Sequence, residues 1–185
     1  MSSTLATPEV TSGKPMWQEQ IVSSPTARKV LAAARITMGF YFLWACIDKV
    51  FGLTFTTPPE RSLLNGGAPA QGYINNVAAK GPFGDFFMIF ANPFGDYLFL
   101  LGLLGIGIAL IAGAGLKIAA TTGVLLMVFM YFAAPPWFGE HGTNPILDSH
   151  VMEAFLLVIP AVTLAGDTWG LGRWWGGKVG NGILR

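Results

Sequence analysis

Cysteine is nearly missing from this 185-residue chain, Cys46 being the single one. An internal disulfide, a Cys-x-x-Cys redox pair and a four-cysteine metal site are thereby excluded. Histidine is almost as scarce. His141 and His150 stand at no His-x3-His or HExxH spacing, so no metal site or bis-histidine haem is expected. Charge is thin as well: 11% of residues are Asp, Glu, Lys or Arg, where a soluble domain carries about a quarter. With a formal net charge of +1 and no basic-aromatic patch, nucleic acid is not an expected partner. No GxGxxG or phosphate loop occurs. The first 25 residues, rich in Ser, Thr and Pro, lack an apolar core and a cleavage pattern. They read as a disordered cytoplasmic tail, not a signal peptide.

What the chain has instead is long apolar runs. Hydrophobic residues make up 52% of it, and its mean hydropathy is +0.54. No charge falls between Asp96 and Lys117, or between Lys117 and Glu140. Each run suffices for a hydrocarbon core about 30 Å thick, which takes about 20 apolar residues of helix. The pattern predicts an all-α membrane protein: a four-transmembrane-helix bundle with spans at about 29–51, 97–116, 118–134 and 145–166. Residues 26–176 form the membrane domain and 177–185 a cytoplasmic tail. Between the first two spans, a short helix near 71–80 and a piece with Phe83, Phe86, Phe87 and Phe90 on one face suit the interface. Gly105, Ala109 and Gly113 recur every fourth residue, a stripe expected to meet another helix. Trp169, Trp174 and Trp175 with Arg173 and Lys178 read as an interfacial anchor.

Orientation follows from the cations. With both termini cytoplasmic, the inner side holds Lys14, Arg28, Lys29, Arg35, Lys117, Arg173, Lys178 and Arg185, and the outer side Lys49, Arg61 and Lys80. Eight against three favours that orientation.

Ionisable groups inside membrane spans are expensive, so each needs a reason. Arg35, Gly39, Phe42, Cys46 and Lys49 share one face of the first span. Asp148, His150 and Glu153 lie in the first turns of the fourth, His150 and Glu153 being spaced to touch. The topology puts Lys49, Asp48, Trp44, Trp137, Asp148, His150 and Glu153 at one outer depth. A His-carboxylate pair there suits proton exchange with a quinol. Lys49 suits an anion or a quinone carbonyl oxygen. Taken alone, the residues favour a plainer reading: the same side chains satisfy one another across helices and fix packing. Arg35 reads first as a snorkelling anchor. Asp85, Asp96, Glu60 and Arg61 read as solvated loop charges, and Cys46 as a packing residue.

The pattern Arg35-x3-Gly39-x2-Phe42-x3-Cys46-x2-Lys49 resembles the first helix of the DoxX/DoxD family of small membrane proteins. Gly107-x2-Leu110-x2-Gly113-x3-Lys117 is similar to its second-helix turn. Asn144-Pro145-Ile146-Leu147-Asp148-Ser149-His150, with Thr168-Trp169-Gly170-Leu171-Gly172-Arg173-Trp174-Trp175, looks like the longer actinobacterial-type members. Cys46 stands where that family usually has Gly, Lys117 where Arg is common, and Leu103 where an acid is frequent. The resemblance implies a bacterial cytoplasmic-membrane protein. It further implies a subunit like the large one of thiosulfate:quinone oxidoreductase, passing electrons from thiosulfate or a related sulfur compound to a membrane quinone. On that reading Asp148, His150 and Glu153 manage protons, while Lys49, Trp44, Trp137 and Arg35 hold substrate or quinone. A menaquinone-type quinone is then a diffusible co-substrate, with no covalent cofactor. A second redox subunit, a soluble oxidoreductase or an oligomer is the partner within the lipid bilayer. The alternative is a non-catalytic membrane scaffold for a redox enzyme complex.

Overall fold

The computed structural model describes residues 14–138 and 144–185, and every regular element among them is helical. In chain order the helices are α1 (Pro25–Phe51), α2 (Pro69–Asn76), α3 (Gly84–Met88), α4 (Pro93–Ala112), α5 (Leu116–Ala133), α6 (Ser149–Val162) and α7 (Gly172–Val179). Three of them, α1, α4 and α5, are long and apolar enough to cross a bilayer, and the chain is a membrane-embedded helical protein. Helix α6 has 14 residues. At 1.5 Å per residue that is about 21 Å, short of a hydrocarbon core of about 30 Å.

Local signals set these boundaries. Ser24 caps α1 through the Ala27 N–H, with Pro25 in the first turn. The second apolar helix starts earlier than the expected 97, because Asn92 Oδ1 accepts from the Gly95 N–H at 3.2 Å and Pro93 opens the helix. Gly113, at φ +71°, ends it. The last apolar helix starts later than the expected 145. Asn144 Oδ1 instead accepts from the Ile146 and Leu147 N–H groups, both at 2.9 Å, making a turn. Asp148 is then the N-cap, its Oδ1 accepting from the Val151 N–H.

The four apolar helices form an antiparallel ring in which α1 packs on α4 and α6, and α5 on α4 and α6. Met38, Phe42, Leu103, Ile106, Leu110 and Leu157 fill its centre. Close approach of α1 and α4 depends on two glycines. A Cβ at Gly107 would lie 2.8 Å from the Leu43 nitrogen, and one at Gly39 2.9 Å from the Ile111 nitrogen. The expected Gly105 stripe is not the contact. Gly105 is exposed, with nothing within 4 Å of a Cβ built on it. Two residues turn about 200° around a helix of 3.6 residues per turn, so the face that meets α1 carries Gly107 and leaves Gly105 on the opposite side.

One end of the ring is capped by the segment between α1 and α4. Ile74, Ala78 and Phe87 pack there on Ala133 at the end of α5, while Phe86, Phe87 and Phe90 surround Phe129. Asp96, expected to be a solvated loop charge, is instead 3% exposed. Its carboxylate accepts from the Ala70 N–H at 2.7 Å, the Gln71 N–H at 3.2 Å and the Gln71 side-chain amide. It thus caps the start of α2, where unpaired N–H groups favour an anion. Glu60, Arg61 and Asp85 are exposed, as expected.

The opposite end joins the two terminal segments. Residues 14–24, expected within a disordered tail, pack against the segment after α6; residues 1–13 lie outside the described residues. Gln18 is fully buried. Its N–H donates to Asp167 Oδ2 at 2.9 Å, and its Oε1 accepts from the Thr168 hydroxyl at 2.6 Å. Asp167 also accepts from Arg185 Nη2 at 3.0 and 3.1 Å, a pair whose side chains are 2% and 4% exposed. Unpaired, either charge would be too costly to bury. Together they close this end, and Lys117 Nζ adds a bond to the Asn181 carbonyl at 2.6 Å.

Candidate functional site

The polar groups of α6 are laid out along its first turns by helical spacing. Asp148 uses one oxygen as the helix cap, and its other oxygen lies 2.5 Å from His150 Nδ1. About a fifth of each side chain is exposed. One turn deeper, Glu153 does not bond His150, although their spacing allowed it. Its Oε1 accepts from the Tyr41 hydroxyl of α1 at 2.9 Å. Tyr41 is 52% exposed, so this pair sits at the rim of the α1–α6 seam. Tyr73 of α2 is half-buried against the cluster of Ile74, Phe87 and Ala133. Burial, and secondarily the negative charge of Asp148, push its phenol above the usual range.

Chemically the α1–α6 seam offers two kinds of proton carrier, a carboxylate–imidazole dyad and a carboxylate–phenol pair, while the second phenol, Tyr73, belongs to the cap over this end of the ring. A histidine with a carboxylate on Nδ1 has its orientation set and presents Nε2 outward. Tyr41 and Tyr73 were not among the residues singled out from sequence. The signal for Tyr41 was there, a phenolic hydroxyl in the middle of an apolar span. Nothing in the sequence marked Tyr73.

The other expected members are dispersed. Lys49 belongs to the stripe of Phe42 and Cys46 and turns towards α4. Its Nζ lies 3.4 Å from Thr56 Oγ1 and 6.0 Å from the Phe99 ring centre, with no carboxylate in ion-pair range among the described residues. Asp48 is fully engaged by the loop after α1. It accepts from the N–H groups of Phe55, Thr56 and Thr57 and from the Thr56 hydroxyl at 2.7 Å. Trp44 packs on Phe40 and Phe55, while Trp137 packs on Tyr131 and Phe132, so each has its own aromatic neighbours. Glu140 and His141 lie outside the described residues.

Arg35 departs furthest from expectation. It neither snorkels nor joins the outer cluster, being 0% exposed and 14 residues, about 21 Å, before Lys49 on the same helix. Nη1 donates to the Leu110 carbonyl and, at 2.9 Å, to that of Ile111. Nη2 donates to the carbonyls of Trp169 at 2.9 Å and Thr168 at 3.4 Å. The last carbonyls of α4 have no partner inside their own helix, and the planar guanidinium serves them while tying down the loop after α6. Gly113 and Gly170 leave room for it: a Cβ at either would lie within 3.0 Å of its nitrogens.

No group of three or more His, Cys, Asp or Glu suited to a metal occurs among the described residues. Compared with known proteins, the chain matches no family model, no curated protein and no solved structure.

Proposed function

We propose that this chain is the membrane subunit of a quinone-linked oxidoreductase, with the quinone headgroup taken at the α1–α6 seam. The observation that carries the reading is the Tyr41–Glu153 pair, half-open to the surroundings and one turn from the His150–Asp148 dyad. In hydrocarbon such a pair is costly unless a polar partner meets it. A quinone entering from the lipid supplies carbonyl oxygens for the Tyr41 hydroxyl and for His150. Reduction of the ring to the quinol takes up two electrons and two protons. Glu153 and His150 are the proton donors in this scheme, and the electrons come from a partner subunit that oxidises a reduced sulfur compound such as thiosulfate. The sulfur donor rests on the resemblance to DoxX/DoxD proteins alone.

In this reading α6 is the fourth span, completed by the turns that flank it. Both termini face the cytoplasm of a bacterial cell, in keeping with the cation count at their end. Lys49 and Arg35 drop out of the quinone site, Lys49 because it faces α4 and Arg35 because it holds backbone.

The test is binding of menadione, a soluble menaquinone head, to the intact chain in lipid nanodiscs. Each lost hydrogen bond is worth about 1.4 kcal/mol or less, so Tyr41→Phe, Glu153→Gln and His150→Ala should each weaken binding by up to about tenfold. Unchanged binding in all three folded variants rejects the quinone site. What then stands is the second reading, a non-catalytic scaffold. One observation favours it: Asp48, Asp96, Asp148 and Asp167 each cap or close a piece of backbone.

A further inference from the structure

The end that joins the two terminal segments carries eight lysines and arginines against two acids among the described residues, Glu19 and Asp167. Both acids are taken: Glu19 by Arg173 and Asp167 by Arg185. Arg35 is consumed internally, which leaves five cations without a carboxylate. One of them, Lys178, stands 5.0 Å over the ring of Trp174, four residues earlier on α7.

The two faces of α7 differ. Its inner face is glycine: a Cβ at Gly176 would lie 2.8 Å from the Arg185 guanidinium, and one at Gly172 2.6 Å from Asp167. Trp175 is tied inward, its Nε1 donating to the Leu184 carbonyl at 2.5 Å. Trp174 goes outward, and Trp169, Leu171 and Ile183, which flank α7 in the chain, are likewise each more than half exposed. Trp169 adds an independent sign. Its φ is +52°, a left-handed conformation unusual for a bulky residue. The backbone is held there by Arg35 Nη2 on its carbonyl, and the indole that this projects is 60% exposed. Strain maintained to present an exposed side chain points to a binding role.

We propose that this face binds anionic phospholipid. Helix α7 lies at headgroup depth with Trp169 and Trp174 in the acyl boundary, and Lys178 meets the lipid phosphate. Among the described residues this end has no acid outside an ion pair to repel such a headgroup, and its aromatic-basic pairing is the chemistry of that boundary. The inference stands apart from the quinone reading, since the two sites lie at different ends of the helices.

The test uses the intact chain in phosphatidylcholine bilayers containing either brominated phosphatidylglycerol or brominated phosphatidylcholine, with tryptophan quenching as the readout. Phosphatidylglycerol should be preferred about fivefold at low salt, the worth of one cation at an anionic surface. The preference should collapse in 1 M salt, where charges are screened within about 3 Å. Lys178→Gln should remove most of it, Lys178→Arg should keep it, and Lys80→Gln at the opposite end should leave it unchanged. Equal quenching by the two lipids overturns the proposal, as does a full preference in Lys178→Gln protein that melts like the parent.

Discussion

Replacing Arg35 by Met keeps a long apolar stem in place and removes only the guanidinium. The carbonyls of Leu110, Ile111 and Trp169 then lose their donor, while that of Thr168, at 3.4 Å, loses little. A buried carbonyl left without a partner costs about 1–3 kcal/mol. Leu110 is fully buried and takes the middle of that range, about 2 kcal/mol. Trp169 and Ile111 are partly open to water and take about 1 kcal/mol each. The sum is about 4 kcal/mol, and for a chain of this length each kcal/mol lowers Tm by about 2–4 °C. A fall of about 8–16 °C is expected. Arg35 Nε has no partner among the described residues, so relief of its desolvation on substitution makes this an upper figure. The assay is thermal unfolding in mild detergent, followed by tryptophan fluorescence. Arg35→Lys should recover part of the loss, since one ammonium cannot reach both helix and loop. If Arg35→Met melted within about 2 °C of the parent, the tie between α4 and the 168–170 loop would carry no weight in stability.

Leu at Gly107 or Gly39 should push α1 from α4 and lower detergent stability markedly, whereas Gly105→Leu should melt like the parent; the reverse order would mean the ring is assembled differently. Asp96→Ala leaves the Ala70 and Gln71 N–H groups unpaired and should cost about 1–2 kcal/mol in thermal melts, with Asp96→Asn losing less. Tyr73 gives a pH signature. With its folded pKa raised, its share of stability is complete below the unfolded value of about 10 and is lost as pH rises through the folded one. Tyr73→Phe should flatten that alkaline decline in Tm, and an unchanged slope would show that the phenol is not buried in the folded state.

The membrane class, three helices long and apolar enough to span, and the presence of short helices between the first two could be read from sequence, because each depends on composition within one segment. Apolar run length against bilayer thickness decides whether a helix can span, and neighbouring residues such as Ser24-Pro25, Asn92-Pro93 and Gly113 decide where it starts and stops. A histidine with a carboxylate at one helix start was legible for the same reason, but which acid it meets was not: the spacing pointed to Glu153, and the cap residue Asp148 is the partner. Which face of a helix meets which neighbour was not local. Gly105 and Gly107 are chemically identical, and only the rotation of α4 against Leu43 tells them apart. Lys49 and Glu153 were expected to share a depth, and depth alone does not bring side chains together. The rotation of α1 turns Lys49 to α4 and gives Glu153 to Tyr41. The tertiary structure also decided the roles of Arg35, Asp96 and Asp167. Each is a buried charge tolerated only because the fold brings backbone groups or an opposite charge to it, from up to 149 residues away in the case of Gln18 and Asp167. A sequence shows the charge, and the fold supplies the partner that makes its burial affordable.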